Sequence, residues 1–189
     1  MAISTQRSDN PDWGGLEWIM ESGGISDSEA IVEYRRGEFL ISTDPERLSL
    51  DVVYEFLTNC YWAKGIPREV VRRSIEHALC FGVYESLSPS LAKETRLGVP
   101  TDLVQVGFAR VITDFATIAY IGDVFVLGTH RGRGLAKWLM QCIVEHPALQ
   151  NLRRWILTTR DAHGLYSQVG FTPLKMPERF MELHRPDVY

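Results

Sequence analysis

Apolar residues recur along this chain with two periods, and the changes of period mark its elements. Glu38 to Thr43 (EFLIST) reads as a strand, and Asp44-Pro45 then turns the chain into a helix. In that helix Leu50, Val53, Leu57 and Cys60 fall at spacings of 3, 4 and 3, which makes one apolar face. Tyr61, Trp62 and Gly65 form an aromatic-rich loop, and Pro67 opens a second helix with Val71, Ile75, Ala78 and Leu79 inward. Cys80 to Glu85 is the next strand pattern. A long polar loop, Ser86 to Asp102, leads to a strand over Leu103 to Ile112. Thr113-Asp114-Phe115 is a short turn, and Ala116 to Leu127 returns, so these two runs should pair antiparallel. After a turn rich in Gly and Arg, Leu135, Leu139, Cys142 and Ile143 carry the buried face of another helix. Trp155 to Thr159 is a short apolar strand, reached through that helix and therefore parallel to its predecessor. A short helix over about Asp161 to Val169 follows, and strands near Phe171 and over Phe180 to Leu183 finish the chain.

This order predicts a single α/β (α+β) domain over residues 31–189 without internal repeats. Residues 1–30 are polar, Gly-rich and acidic, a loose extension in which Trp13, Leu16, Trp18, Ile19 and Met20 suggest a short docking helix. A length of 189 with 45% apolar and 23% charged residues excludes a disordered or fibrous chain. The longest apolar run, Ile118 to Leu127, is broken by Gly122 and Asp123 and falls short of the ~18 residues a membrane span needs. A formal net charge of −4 argues against a general nucleic-acid binder. Cys60, Cys80 and Cys142 are too few and too scattered for a disulfide framework or a metal pair, and read as reduced thiols. Met1 to Asn10 lacks the apolar core of a secretory signal, so the expected location is cytoplasmic.

Candidate chemistry concentrates in Asp123 to Ala136, D-V-F-V-L-G-T-H-R-G-R-G-L-A. A strand runs straight into Gly132 and Gly134, where a helix starts. Glycine permits unusual torsions there and lets a ligand approach the main chain. The first helical amides have no internal partner and sit at the positive end of the helix dipole, which makes an anion cradle. Arg131 and Arg133 should add charge at the same place. The alternative is a turn that merely closes a strand-to-helix corner. Two other phosphate loops do not fit: Gly134 is followed by Leu135-Ala136 instead of Lys-Ser/Thr, and Gly132-x-Gly134 leads to Lys137, not a third glycine.

Val126, followed after four residues by Arg131-Gly-Arg-Gly134-Leu-Ala136, resembles the acyl-CoA signature of the GNAT superfamily of N-acetyltransferases. A second segment, Ala162-His-Gly-Leu165-Tyr166-Ser-Gln-Val-Gly170-Phe171, is similar to that family's Ala-x-x-Leu-Tyr-x-x-x-Gly-Phe. The two stand in the family's order, one helix and one strand apart. The resemblance covers about Ile31 to Tyr189. It implies a mixed, mostly antiparallel twisted sheet flanked by helices and splayed between the strands near Val126 and Trp155. It further implies acetyl-CoA as acyl donor and a primary amine of a small molecule as acceptor, joined in one ternary complex without a metal.

On the same basis, the amides of Arg131, Gly132, Arg133, Gly134, Leu135 and Ala136 would hold the CoA diphosphate. The pantetheine arm would pair with the backbone of Phe125, Val126 and Leu127. Tyr166 would face the thioester sulfur and protonate the leaving thiolate. Asp123 is the candidate base or amine-orienting group, because a charge inside an apolar strand is costly unless paired or functional. The chain departs from relatives of polyamine type at Gly122, where they often carry Glu. His163 is an auxiliary base candidate three residues before Tyr166. Asp161 suits a helix N-cap, and His130 a solvated loop. Tyr61 and Trp62 would border the acceptor. Rival readings are acetylation of a protein lysine or N-terminus, and a non-catalytic acyl-CoA sensor. No nucleic-acid or membrane partner is expected; a homodimer is compatible with everything read here.

Overall fold

The computed structural model describes residues 2–7, 17–22, 30–87, 103–185 and 188–189. Among them eight strands form one sheet in sequence order: β1 (Ala2–Arg7), β2 (Glu17–Ser22), β3 (Ile31–Arg36), β4 (Phe39–Ser42), β5 (Leu79–Ser86), β6 (Leu103–Thr113), β7 (Ile118–Val126) and β8 (Arg154–Leu157). All neighbours are antiparallel except β7 and β8, which run parallel as the crossover through a helix requires. The four α-helices are α1 (Leu50–Asn59), α2 (Arg68–Glu76), α3 (Leu135–Val144) and α4 (His163–Ser167).

Local chemistry explains the boundaries. Asp44 caps a single 3-10 turn over Pro45–Arg47 by accepting from the Glu46 amide at 3.0 Å. Ser49 then caps α1 through the Val52 amide, and its own N–H donates to Gln105 Oε1 at 2.8 Å, which ties the start of α1 to β6. The Asp114 carboxylate accepts the amides of Ala116, Thr117 and Ile118 and thereby closes the β6–β7 hairpin.

Side chains alternate across the sheet. Val32, Ile41, Phe81, Val83 and Val111 pack under α3 through Leu135, Trp138, Leu139 and Ile143. On the other face Cys80, Phe108 and Phe125 meet Val53, Leu57 and Val71 of α1 and α2. The domain is thus a sheet sandwiched between α3 and the α1–α2 pair.

Two expectations are corrected. The segment before residue 30 contributes strands β1 and β2 where its sequence suggests a loose stretch with a short docking helix; Trp13 and Leu16 lie outside the described residues. The chain around Phe171 and over Phe180 to Leu183 forms no strand, and Met181 and Leu183 are exposed. Their alternation is strand-like, but alternation alone does not make a strand without ladder partners. Residues 88–102 of the long loop lie outside the described residues.

The expected splay lies between β7 and β8. β7 and β8 pair from Ile118↔Arg154 to Ile121↔Leu157, so Trp155 sits in the paired part, opposite Ala119. The opening lies beyond Leu157, where β7 continues to Val126 without a parallel neighbour.

Candidate active site

β7 delivers the chain to a 3-10 turn (Gly128–His130), then to Gly132 at φ 78° and Gly134 at φ 72°, the N-cap of α3. Both glycines occupy the left-handed region that side chains resist. No side chain caps α3. The Arg131 amide is committed to the Gly128 carbonyl at 3.4 Å, and the Trp138 amide donates to the Gly134 carbonyl at 3.1 Å. Between them the amides of Gly132 to Lys137 find no acceptor among the described residues. A Cβ added at Gly132 would meet nothing within 4 Å, and one at Gly134 only the Arg36 guanidinium, at 3.9 Å. Open, unpartnered amides at a helix start fit a diphosphate.

The two arginines of this loop part company. Arg131 borders the cleft, and its Nε donates to the Val126 carbonyl at 3.2 Å. Arg133 turns away from it: it donates to Glu85 Oε1 at 2.9 Å and Glu38 Oε1 at 2.7 Å and lies over the Phe39 ring. Only its backbone remains at the cradle, with its carbonyl held by Arg36 at 3.2 Å. His130, read as solvated, is tied to Glu85 Oε2 at 3.0 Å and to Thr129. Glu85 therefore grips both flanks of the loop, and these partners hold its carboxyl below the usual range, His130 first and Arg133 next.

A cleft of about 890 Å³ fills the opening beside β7, bounded by Val124 to Leu127, Arg131 and Ala136, by Leu165 and Tyr166 of α4, and by Phe56 of α1. Leu127 corrects one expectation. Its amide donates to the Val106 carbonyl at 2.8 Å and its carbonyl accepts from His130, so its main chain is committed. By strand alternation the peptide groups of Val126 face the cleft, where Arg131 already uses the carbonyl. Phe125 contributes its ring, stacked on Phe56 at 3.8 Å.

A second cleft of about 490 Å³ adjoins the first, sharing Tyr61, Trp62, Val124, Asp161, Ala162 and Tyr166. Asp123 stands here at a β-bulge. The register passes from Phe108↔Phe125 to Arg110↔Gly122, so Asp123 and Val124 together oppose Ala109, and Asp123 adopts φ 55°. Its Oδ2 accepts from Arg110 Nε at 2.8 Å and pairs with the terminal nitrogen at 2.7 Å; its Oδ1 accepts from Trp62 Nε1 at 3.3 Å. Arg110 was not foreseen, although a lone cation in the apolar run LVQVGFARVI signals a buried partner. Tyr120, also unforeseen, bonds Thr158 at 2.9 Å in the same wall.

Tyr166 sits where the clefts meet. Its ring packs edge-on against Phe171, and its hydroxyl has no hydrogen-bond partner among the described residues. Burial, followed by Tyr61, Asp161 and Tyr120, pushes its phenol above the ordinary 10.0, so it stays protonated at neutral pH. Trp62 is brought to Asp123 across 61 residues of sequence, and Tyr61 lines the same cleft. His163 is exposed at the start of α4 and borders neither cleft. Asp161 does not cap α4; Ala162 holds that place, with its amide on Thr159 Oγ1 at 3.0 Å. Among the described residues no group of three His, Cys, Asp or Glu is arranged for a metal, and no helix is long and apolar enough to cross a membrane.

Comparison with known proteins bears on this geometry. Residues 101–173 match the model described as "Acetyltransferase (GNAT) domain". A Gibberella zeae protein named "Putative acetyltransferase" is 34% identical over 146 residues, covering 71% of this chain and 79% of that one. A Xanthomonas campestris crystal structure, described as a "putative acetyltransferase belonging to the gnat family", is 45% identical with a TM-score of 0.69, over 80% of this chain and 96% of that one. A GNAT-family acetyltransferase of Streptococcus pneumoniae shares the fold at 18% identity, with a TM-score of 0.54 over 79% of this chain and 98% of that one.

Proposed function

Because the chain belongs to the GNAT acetyltransferase family and is thus an acyltransferase, we propose that it moves an acetyl group from acetyl-CoA directly to a primary amine of a small molecule. The observation that carries this reading is the meeting of two clefts at Tyr166: one begins at an uncapped, glycine-bordered helix start, the other holds the Asp123 carboxylate. Bound at the cradle, acetyl-CoA supplies an activated thioester.

The residues divide the work. The amides of Gly132 to Ala136 and the Arg131 guanidinium grip the diphosphate. Val126 offers its peptide group to the arm. An alkyl amine, with a pKa near ~10.4, arrives mostly as an ammonium and must lose a proton. Asp123 Oδ1, engaged only by Trp62, takes that proton directly or through water. A main-chain N–H of the bulged strand edge stabilises the oxygen as it becomes anionic. Tyr166, still protonated, gives its phenol proton to the departing sulfur.

The test is a thermal-shift titration with acetyl-CoA followed by thiol release across a panel of amines and peptides. Stabilisation together with turnover of a small amine is expected. Stabilisation without turnover of any acceptor would assign the chain a sensing role instead, and turnover of peptides alone would assign it to protein acetylation.

A further inference from the structure

We infer that the acceptor is a monoamine carried on a flat aromatic body, and that Tyr61 and Trp62 are the residues that select it. This deepens the reading above and rests on it. The second cleft is walled by four aromatic side chains, Tyr61, Trp62, Tyr120 and Tyr166. Tyr61 and Trp62 stand edge to face at 4.9 Å and are 48% and 42% exposed; Arg160 covers one face of Tyr61, and the remaining ring surface of the pair is open to an occupant. Such surface recovers free energy only when an apolar group covers it.

The charges of the cleft point the same way. It contains Arg110, Arg160, Asp123 and Asp161, two of each sign. Asp123 is neutralised by Arg110 through two short contacts. Arg160 lies 3.7 Å over the Tyr61 ring and 3.7 Å from Asp161. Gly122, at the bulge, provides no further carboxylate, and a Cβ there would already lie 3.5 Å from Tyr120 and 3.9 Å from Arg110. Oδ2 is taken by Arg110 and Oδ1 accepts only from Trp62 Nε1 at 3.3 Å, so Oδ1 keeps one acceptor position for one ammonium. A second cation on the acceptor would find only Asp161, already beside Arg160, and would meet the guanidinium of Arg110 or Arg160. A polyamine or basic peptide gains nothing here, whereas an arylalkylamine satisfies both the rings and Oδ1.

The experiment compares kcat/KM for phenethylamine, tryptamine, butylamine, spermidine and a lysine peptide, followed by thiol release. The aryl amines are expected to exceed butylamine and spermidine by about tenfold, the size of one to two aromatic contacts. Their kcat/KM should change less than about twofold between low and physiological salt, since no net field attracts them. Tyr61→Ala, at a ring that makes no hydrogen bond to Asp123, should raise KM for phenethylamine about tenfold while leaving KM for butylamine within about twofold. A merely structural role for this loop would move both equally, and that result would overturn the assignment. So would preferred turnover of spermidine or of the peptide. Binding of acetyl-CoA with no turnover of any amine would instead overthrow the acetyltransfer reading itself, and this inference with it.

Discussion

Tyr166 and Ala136 allow the sharpest tests at the level of single side chains. Under the proposed mechanism Tyr166→Phe removes one proton donor and no packing surface. It should lower kcat by about 10²-fold, the usual size of a general-acid contribution, while acetyl-CoA affinity measured by calorimetry stays unchanged. Because burial raises the phenol above 10.0, the wild-type rate should rise as the amine deprotonates and show no falling limb from this group up to pH 10. A decline centred below that pH would remove Tyr166 from the acid role. Gly134→Trp would block the cradle, yet at φ 72° any side chain also strains the turn. Ala136→Trp is cleaner, since Ala136 has helical torsions and borders the cleft. It should weaken acetyl-CoA binding at least about tenfold, ~1.4 kcal/mol, with the melting temperature little altered. At this scale the sequence disclosed backbone features better than partners. Gly132 and Gly134 are where their torsions require them. The direction of Arg133, by contrast, depends on Glu38 and Glu85, 95 and 48 residues earlier, a separation no local pattern encodes.

Between elements, the glycine loop is held from behind by side chains that never face the cleft. Glu85, on β5, takes His130 with one oxygen and Arg133 with the other; Arg36, on β3, holds the Arg133 carbonyl and lies over Trp138 of α3. The aim of the helix amides thus depends on two neighbouring strands. Glu85→Gln keeps the shape and loses the charge. Raised KM for acetyl-CoA, by roughly two- to fivefold as for exposed ion pairs, with kcat within about twofold is expected. Equal kinetics in the variant would show that the loop orders itself. The carboxyl is held below its usual 4.5, so this anchor should persist into mildly acidic buffer and fail only as pH falls through the lowered value. Strands β4 to β8 and the four helices were legible because each has a period, a cap or a turn of its own. The strands expected near Phe171 and Phe180 had period alone.

For the molecule as a whole, His146 contributes an acid-sensitive part of the stability. It is fully buried after α3; its Nδ1 accepts the Ala148 amide at 3.3 Å and its Nε2 has no partner among the described residues. Burial lowers its pKa from 6.5 to about 4. The folded state thus binds fewer protons than the unfolded one, so this contribution is complete above pH 6.5 and is lost as pH falls toward 4. The full loss is about 3 kcal/mol, readable as denaturation midpoints at pH 7, 5 and 4. His146→Asn, which keeps a capping acceptor for Ala148, should flatten that slope; an unchanged slope would place the acid sensitivity elsewhere. The splay, too, belongs to this scale. Its existence could be expected from the resemblance, but its position depends on how far β8 reaches, and a four-residue strand ends before the bulge. Hairpin partners are stitched together up to their connecting turn. Strands joined through α3 carry no such stitching and can drift apart or together while the rest of the sheet stays closed. Deuterium from solvent should then replace the Val126 amide proton within minutes and the interior Phe108 proton only after hours, and saturating coenzyme should slow the first while sparing the second.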